Sequence, residues 1–308
     1  MLGGWRLPVD GFAPSTPELA GVVRGVHTSQ FFSFLAPQNL WTLGARISIA
    51  AVHRFRLAGS TASFLPMDKA EYLESIEADS ETFISTAAAV PRDNPVAVCP
   101  GWTVEDLVKH QVFVWGFATA NVAAGTGEKT PPTSPTAPED DSKFFEWAGS
   151  VRATMIETLS TADPDAPAWS FAAPFQTAGF WQRRMCHETM VHRWDIQSVA
   201  LDIDPLFPHR AADGIDEYTQ VGLLYSSSKP DRVYPSQSLH LHCTDTEGEW
   251  TMVGDDGPNV TVTKEHAKGD AAVRGQAEEL LLWIWGRPGE VEIFGDESVA
   301  ESWRALAP

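Results

Sequence analysis

The chain has 308 residues, which is enough for two domains of ordinary size, and 43% of them are hydrophobic, which is enough for a sizeable core. Its formal net charge of -19 and pI of about 4.7 argue against sequence-independent nucleic-acid binding and against binding to an anionic membrane surface. Three cysteines without a C-x-x-C pair favour a reducing, cytoplasmic compartment with free thiols.

Residues 1–66 differ from the rest of the chain in charge and pattern. They contain five arginines, no lysine and two acidic residues, and they lack a clear periodicity. Their most apolar part, residues 31–52, is interrupted by Pro37 and Arg46, which makes it a poor transmembrane helix, and it lies too far along for a signal peptide. We interpret residues 1–66 as a disordered or non-native leader with Met67 as the native start; a genuine, poorly ordered leader is the alternative.

Four helices are predicted in the next part of the chain. The first runs from Asp68 to about Val90 and the second starts at Thr103, and both starts have an acidic residue three positions later, the capping-box pattern. The third and fourth helices are predicted at about residues 142–159 and 178–201. Four helices joined by long connections favour a four-helix bundle.

After about residue 230 the pattern changes to short alternating runs separated by Gly/Asp turns, which predict strands. The strands are predicted at 238–243, 249–253, 259–263, 271–274 and 290–294, and helices at 276–285 and 297–306. The predicted fold is therefore α plus α+β, with a four-helix bundle at residues 67–228 and a small α+β domain at residues 229–308.

The segment from Met185 to Asp195 has a carboxylate and an imidazole four residues apart, Glu188 and His192. On a helix this step places both side chains on one face, one turn apart, where both could bind one metal ion. The segment is not the H-E-x-x-H zinc motif, because His187 and His192 are five residues apart and point in different directions. A helix-stabilising surface pair has the same spacing, so the pattern alone leaves both interpretations open.

His110, on the second predicted helix, is the candidate for a third ligand. Together with Glu188 and His192 it would form a three-ligand site inside the bundle, with one coordination position left for water or substrate, as in catalytic zinc sites. Two imidazoles and a carboxylate also suit Fe(II), Ni or Cu, so the ligand types do not choose the metal.

Other polar residues have simpler interpretations. His240 and His242 share one face of a predicted strand, and a solvent-facing position is favoured over a metal pair. Asp195 is either a hydrogen-bond partner of a ligand histidine or one half of a salt bridge with a nearby arginine. Cys99 and Cys186 flank the candidate ligands and are interpreted as small buried thiols.

Two motifs and a C-terminal block together resemble a known family. The sequence CPGWTVEDLVKH at residues 99–110, followed by E-x-x-x-H-R-W-D at residues 188–195, resembles the mycothiol-dependent maleylpyruvate isomerase family. The block VRGQAEELLLWIWGR at residues 273–287 resembles the small C-terminal domain of that family, which is similar to sterol carrier proteins. The resemblance covers residues 67 to about 306 and implies a DinB-type metal-binding four-helix bundle as the N-terminal domain.

The resemblance also implies roles for individual residues. His110, Glu188 and His192 match the ligands of a divalent metal, usually zinc, that holds the thiol of mycothiol as its nucleophilic thiolate. Arg287 matches an arginine that helps to hold an anionic substrate, although an arginine at a helix end also interacts favourably with the helix dipole. The implied reaction is thiolate addition to the cis double bond of maleylpyruvate, rotation, and elimination to give fumarylpyruvate.

The expected partners are a small electrophile and a low-molecular-weight thiol, without nucleic acid or membrane, for a monomer or homodimer. Three alternative functions stay open. A mycothiol S-transferase in detoxification or biosynthesis would use the same site, and a non-catalytic metal-binding stress or regulatory protein would keep only the fold. A metallohydrolase would activate water instead of a thiol and would need a carboxylate base beside the ligands, which the sequence does not identify.

Overall fold

The computed structural model describes residues 66–131, 136–223 and 232–307. The predicted leader, residues 1–66, lies outside the described residues except for its last residue. Within the described ranges, none of the helices combines the length and the hydropathy that crossing a bilayer requires.

Four helices form an N-terminal bundle, which confirms the predicted helical domain. They are α1 (Lys69–Ala89), α2 (Val104–Ala124), α3 (Phe144–Thr161), preceded by a short 3-10 turn, and α4 (Ala178–Ala200). Helix α1 packs mainly against α4 and α2 mainly against α3, with further contacts between α1 and α3 and between α2 and α4. Both predicted capping boxes are present, at the N-termini of α1 and α2.

Helices α3 and α4 bury their side chains to very different extents. On α3 the buried residues recur every three or four positions and form one apolar stripe: Phe144, Ala148, Val151, Met155 and Leu159. Helix α4 contacts α1, α2 and α3 and also the following helix, and it is buried around most of its circumference. Polar side chains on α4 must therefore find partners inside the protein.

A fifth helix, α5 (Pro208–Glu217), continues into one π-helical turn and is absent from the predicted elements. Its Ala211, Ala212 and Ile215 belong to the hydrophobic core of the C-terminal domain. The predicted domain limits stay a prediction, and the packing of α5 favours a boundary earlier than residue 229.

The C-terminal domain contains a mixed five-stranded sheet, as predicted for an α+β domain. The strands are β1 (Leu239–Cys243), β2 (Glu249–Gly254), β3 (Val260–Thr263), β4 (Ala271–Gly275) and β5 (Glu292–Gly295), in the order β3-β2-β1-β4-β5. Strands β1 and β4 are parallel, and the other neighbours are antiparallel. Two further helices, α6 (Ala277–Ile284) and α7 (Glu297–Arg304), contact β1 and β4.

Alternation along β1 separates its apolar and polar side chains. Leu239 and Leu241 lie in the core of the C-terminal domain, so His240 and His242 occupy the opposite face of the strand. The predicted solvent-facing position is wrong for His240, which is 4% exposed, whereas His242 is half-buried. The difference arises because β2 and the segment after β3 supply side chains that cover this face.

Candidate metal centre

The three predicted ligand residues, His110 on α2 and Glu188 and His192 on α4, converge on one point of the bundle. Nε2 of His110 lies 3.0 Å from Oε1 of Glu188, and Nε2 of His192 lies 3.3 Å from the same oxygen. The two imidazole rings meet edge to face, with their centroids 5.0 Å apart. The spacing of residues 188 and 192 on a helix therefore produces the shared face that the sequence predicts.

This donor set fits a divalent metal ion. Ligand atoms that lie 2.0–2.1 Å from a tetrahedral zinc ion are about 3.3 Å from each other, which is close to the separation of each imidazole nitrogen from Oε1 of Glu188. The three residues are partly or fully buried, and two imidazoles with one carboxylate are a common ligand combination for such ions.

The second oxygen of Glu188 is held by an arginine from its own helix. Nη2 of Arg184, one turn earlier on α4, donates to Oε2 of Glu188 at 2.9 Å, and Nη1 of Arg184 donates to Glu217 on α5. Burial alone would raise the pKa of Glu188, but its contacts with His110, His192 and Arg184 hold that pKa well below the usual value. Glu188 is therefore ionised, which is the form that binds a cation.

The imidazole of His192 is oriented by a buried aspartate. Oδ2 of Asp195, a fully buried residue, lies 2.9 Å from Nδ1 of His192. Although burial opposes ionisation, the contacts with His192 and Arg287 lower the pKa of Asp195 to about 2. An ionised carboxylate can only accept, so Nδ1 carries the proton and Nε2 faces the other two ligand residues. Both interpretations of Asp195, partner of a ligand histidine and salt bridge with an arginine, are present together.

Arg287 forms the outer part of this arrangement. Its Nε and Nη2 donate to the two oxygens of Asp195 at 3.1 and 2.7 Å, and its Nη1 donates to the backbone oxygen of Trp285 at 2.8 Å. The residue is only 7% exposed. The bidentate geometry that suits a substrate carboxylate is thus directed at Asp195, and the substrate-holding role of Arg287 stays a prediction.

The sequence did not indicate that three further residues belong to the site. They are Arg184, Glu217 and Trp102. Arg184 stands four positions before Glu188, a spacing that could have indicated the contact. Glu217 lies on the unpredicted helix α5, so its position was not accessible to pattern analysis. The centroid of the Trp102 ring lies 4.9 Å from that of His110 and 6.5 Å from that of His192, with which the ring is stacked. Trp102 therefore covers one side of the ligand set.

Two residues close in sequence to the ligands have different surroundings. Nε2 of His187 lies 2.6 Å from Oδ1 of Asp213, outside the ligand group. Sγ of Cys99 lies 3.5 Å from Oδ2 of Asp195, and burial, together with the charge of Asp195, raises the pKa of this thiol to about 12. Cys99 is therefore protonated at neutral pH.

The fold and the site define a two-domain protein with a candidate metal centre in its helical bundle. Residues 73–197 match the family model described as "Mycothiol maleylpyruvate isomerase N-terminal domain", and residues 210–302 match the model described as "MDMPI C-terminal domain". The chain belongs to the mycothiol-dependent maleylpyruvate isomerase family.

Two solved structures are similar to the chain. One is a crystal structure of the mycothiol-dependent maleylpyruvate isomerase, with 13% identity and a TM-score of 0.47, and the other is a histidine-to-alanine mutant of that enzyme, with 14% identity and a TM-score of 0.46. Each match covers 74% of this chain and 93% of the solved chain. A search of curated proteins found no match.

Proposed function

We propose that this chain is a mycothiol-dependent isomerase of the maleylpyruvate type, with a divalent metal ion, zinc first among the candidates, bound by His110, Glu188 and His192. The observation that supports the metal site most strongly is the convergence of two imidazole nitrogens on Oε1 of Glu188, in a chain of this family. When bound, the metal supplies positive charge that lowers the pKa of a nearby thiol, so that thiolate is available at neutral pH.

The chain's own residues hold the proposed ligands in position before any metal binds. Arg184 fixes one oxygen of Glu188 and leaves the other directed at the two histidines. Asp195 fixes the proton of His192 on Nδ1, and Arg287 fixes Asp195. We infer that Arg287 is a positioning residue that acts through Asp195, beside the substrate-holding role that the family resemblance implies.

The raised pKa values of the chain's own cysteines support an external thiol as the nucleophile. Burial is the main cause that raises the pKa of Cys99, Cys186 and Cys243, each to about 12. In the metal-free chain none of the three therefore provides a thiolate at neutral pH. This favours a low-molecular-weight thiol as the nucleophile, and mycothiol is the thiol named for the family.

In the proposed reaction the sulfur of the thiolate adds to one carbon of the cis double bond, and the other carbon carries the electron pair into the adjacent carbonyl system. The carbon–carbon bond that was double is now single, and rotation occurs about it. Loss of the thiolate then restores the double bond in the trans configuration. The thiol is regenerated and no oxidant or reductant is needed. A hydrolase is less well supported, because the carboxylates of Asp195 and Glu217 are both paired with arginines rather than placed as bases.

Two histidine variants of α4 test this proposal. Both His192 and His187 are buried and hydrogen-bonded to an aspartate, but only His192 is in the proposed ligand set. We expect the wild type and His187→Ala to contain zinc and to isomerise maleylpyruvate only when mycothiol is present. We expect His192→Ala to lose the metal ion of the bundle site and the activity. Thiol-independent turnover, or full metal content in His192→Ala, would contradict the proposal.

The fate of mycothiol separates isomerisation from S-transfer. An isomerase leaves the concentration of free thiol unchanged over many turnovers, whereas a transferase consumes one thiol per product. Stoichiometric loss of mycothiol would overturn the isomerase assignment and leave the metal site standing.

A further inference from the structure

A second group of side chains of the types that can bind a metal ion lies on the sheet of the C-terminal domain. His240 and His242 are on β1, Glu249 is on β2, and His266 is in the segment between β3 and β4. In the register of the antiparallel pair, His242 stands opposite Glu249 and His240 opposite Thr251, which places these side chains on one face of the sheet. One ligand atom from each of the four metal-ligating residues lies within 4.8 Å of the others.

Glu249 is at the centre of this second group. Nδ1 of His242 lies 2.9 Å from Oε1 of Glu249, and Nδ1 of His266 lies 2.8 Å from Oε2. Nε2 of His240 lies 3.5 Å from the same Oε2. Three imidazole nitrogens, two from β1 and one from the segment between β3 and β4, thus face a single carboxylate on β2.

Close contacts with Glu249 account for His242 and His266, but the contacts of His240 leave one of its ring nitrogens without a hydrogen bond. Its Nδ1 is hydrogen-bonded to Oγ1 of Thr251 at 2.9 Å, whereas its buried Nε2 has no hydrogen-bond partner among the described residues. A buried imidazole nitrogen without a partner is costly, and one that faces three other donor atoms is placed as a metal ligand would be. The hydrogen bond at Nδ1 is also the kind of contact that fixes the orientation of a ligand histidine.

We propose that His240, His242, Glu249 and His266 bind a second divalent transition-metal ion of the zinc class. Three imidazoles and one carboxylate are ligands for such ions, and four protein ligands complete a tetrahedral shell without an open position. The site is therefore structural: it ties the segment that holds His266, whose side chain is 82% exposed, to strands β1 and β2. It is separate from the bundle site and does not depend on the proposed enzymatic function.

The test is the zinc content of the full-length chain, measured after dialysis against micromolar zinc, for the wild type and for His266→Ala. His266 is exposed, so this variant leaves the core intact. His209→Ala is the matched control, because His209 is a half-exposed histidine of α5 outside both ligand groups. We expect His266→Ala to bind one zinc ion fewer per chain than the wild type, and His209→Ala to bind as many as the wild type.

This difference of one ion is expected whether or not the bundle site also binds zinc, so failure of the two proposals can be distinguished. Replacing zinc by Co²⁺ gives a second readout, since the visible absorption of four-coordinate cobalt should be weaker in Glu249→Gln and His266→Ala than in the wild type. Equal zinc content in the wild type and His266→Ala, or an equal loss in His209→Ala, would overturn the second site and leave an ion-pair cluster on the sheet.

Discussion

Asp195→Asn is the substitution that tests the organisation of the candidate metal centre most severely. The change preserves the size of the side chain but removes the charge that faces both His192 and Arg287. Because Asp195 is fully buried, water cannot replace the lost interaction. The buried guanidinium of Arg287 then loses the counter-charge that it contacts directly, and the tautomer of His192 is no longer fixed.

The structure gives the expected size of the losses in stability and in zinc affinity. A folded-state pKa of about 2 against a usual value of 3.8 corresponds to roughly 2–3 kcal/mol that favours the ionised form of Asp195 in the folded protein. Removing one partner of a buried ion pair costs about 3–5 kcal/mol. We therefore expect the free energy of unfolding of the metal-free protein to fall by about 2–5 kcal/mol. We also expect zinc to bind at the bundle site roughly 10- to 100-fold more weakly.

The pH dependence has a definite sign. The folded-state pKa of Asp195 is depressed, so its stabilising contribution is complete above about pH 4 and is lost as the pH falls towards 2. The stability difference between the wild type and Asp195→Asn should therefore shrink below about pH 4. Urea unfolding at several pH values measures the stability, and competition with a chromophoric chelator measures the zinc affinity.

Asp213→Asn is a matched control, because Asp213 is also fully buried and bonded to a histidine and an arginine of α4, His187 and Arg183. We expect it to destabilise the fold by a similar amount and to leave the zinc affinity unchanged. Wild-type zinc affinity in Asp195→Asn would refute the reasoning, and so would an equal loss of affinity in Asp213→Asn.

Three further predictions concern the thiol, the proton and the core. Cys99→Ser should keep mycothiol-dependent turnover within about threefold, because a protonated thiol contributes only a weak hydrogen bond; loss of activity would make Cys99 a nucleophile. Burial lowers the pKa of His192, but Asp195 and Glu188 together raise it to about 9, so zinc must displace a proton. The apparent affinity of the bundle site for zinc should therefore rise about tenfold per pH unit up to about pH 9. A zinc affinity that does not change between pH 6 and 8 would contradict this. Phe83→Ala, at a fully buried position, should cost about 3–5 kcal/mol in urea unfolding, and a loss below 1 kcal/mol would show that the bundle core repacks.

Much of the bundle could be predicted because its sequence signals are local. The capping boxes at Asp68 and Thr103 mark where α1 and α2 begin, and the apolar stripe of α3 has helical spacing. The same locality made the pair Glu188 and His192 visible, since four residues on a helix determine a shared face. His110 was a candidate from its place on the second helix, and the family resemblance supported it. The packing of α2 against α4 is a long-range property, so local spacing alone does not determine this contact.

Helix α5 was not predicted, because its buried acidic residues are stabilised by partners that are distant in sequence. Asp213, Asp216 and Glu217 are typical of an exposed segment in sequence, but all three are buried in the fold. Arginines 183 and 184 of α4 neutralise them. A buried acid is recognisable only when its counter-charge is known, and sequence spacing does not supply it.

The burial of His240 could not be predicted either, because it also depends on residues from other parts of the chain. Alternation correctly placed it opposite the core residues of β1, and a polar face is normally exposed. The cover comes from Thr251 and Glu249 on β2 and from His266 in the following segment, and strand pairing brings these residues together. Pairing register is not encoded in one strand alone, so the group could not be assembled from the sequence.

The anomalous difference density of a zinc-loaded crystal tests the central claim most directly, because it locates the metal without reference to activity. A peak within coordination distance of Nε2 of His110, an oxygen of Glu188 and Nε2 of His192 is the predicted result. A fully zinc-loaded protein without a peak at these three side chains would contradict the account.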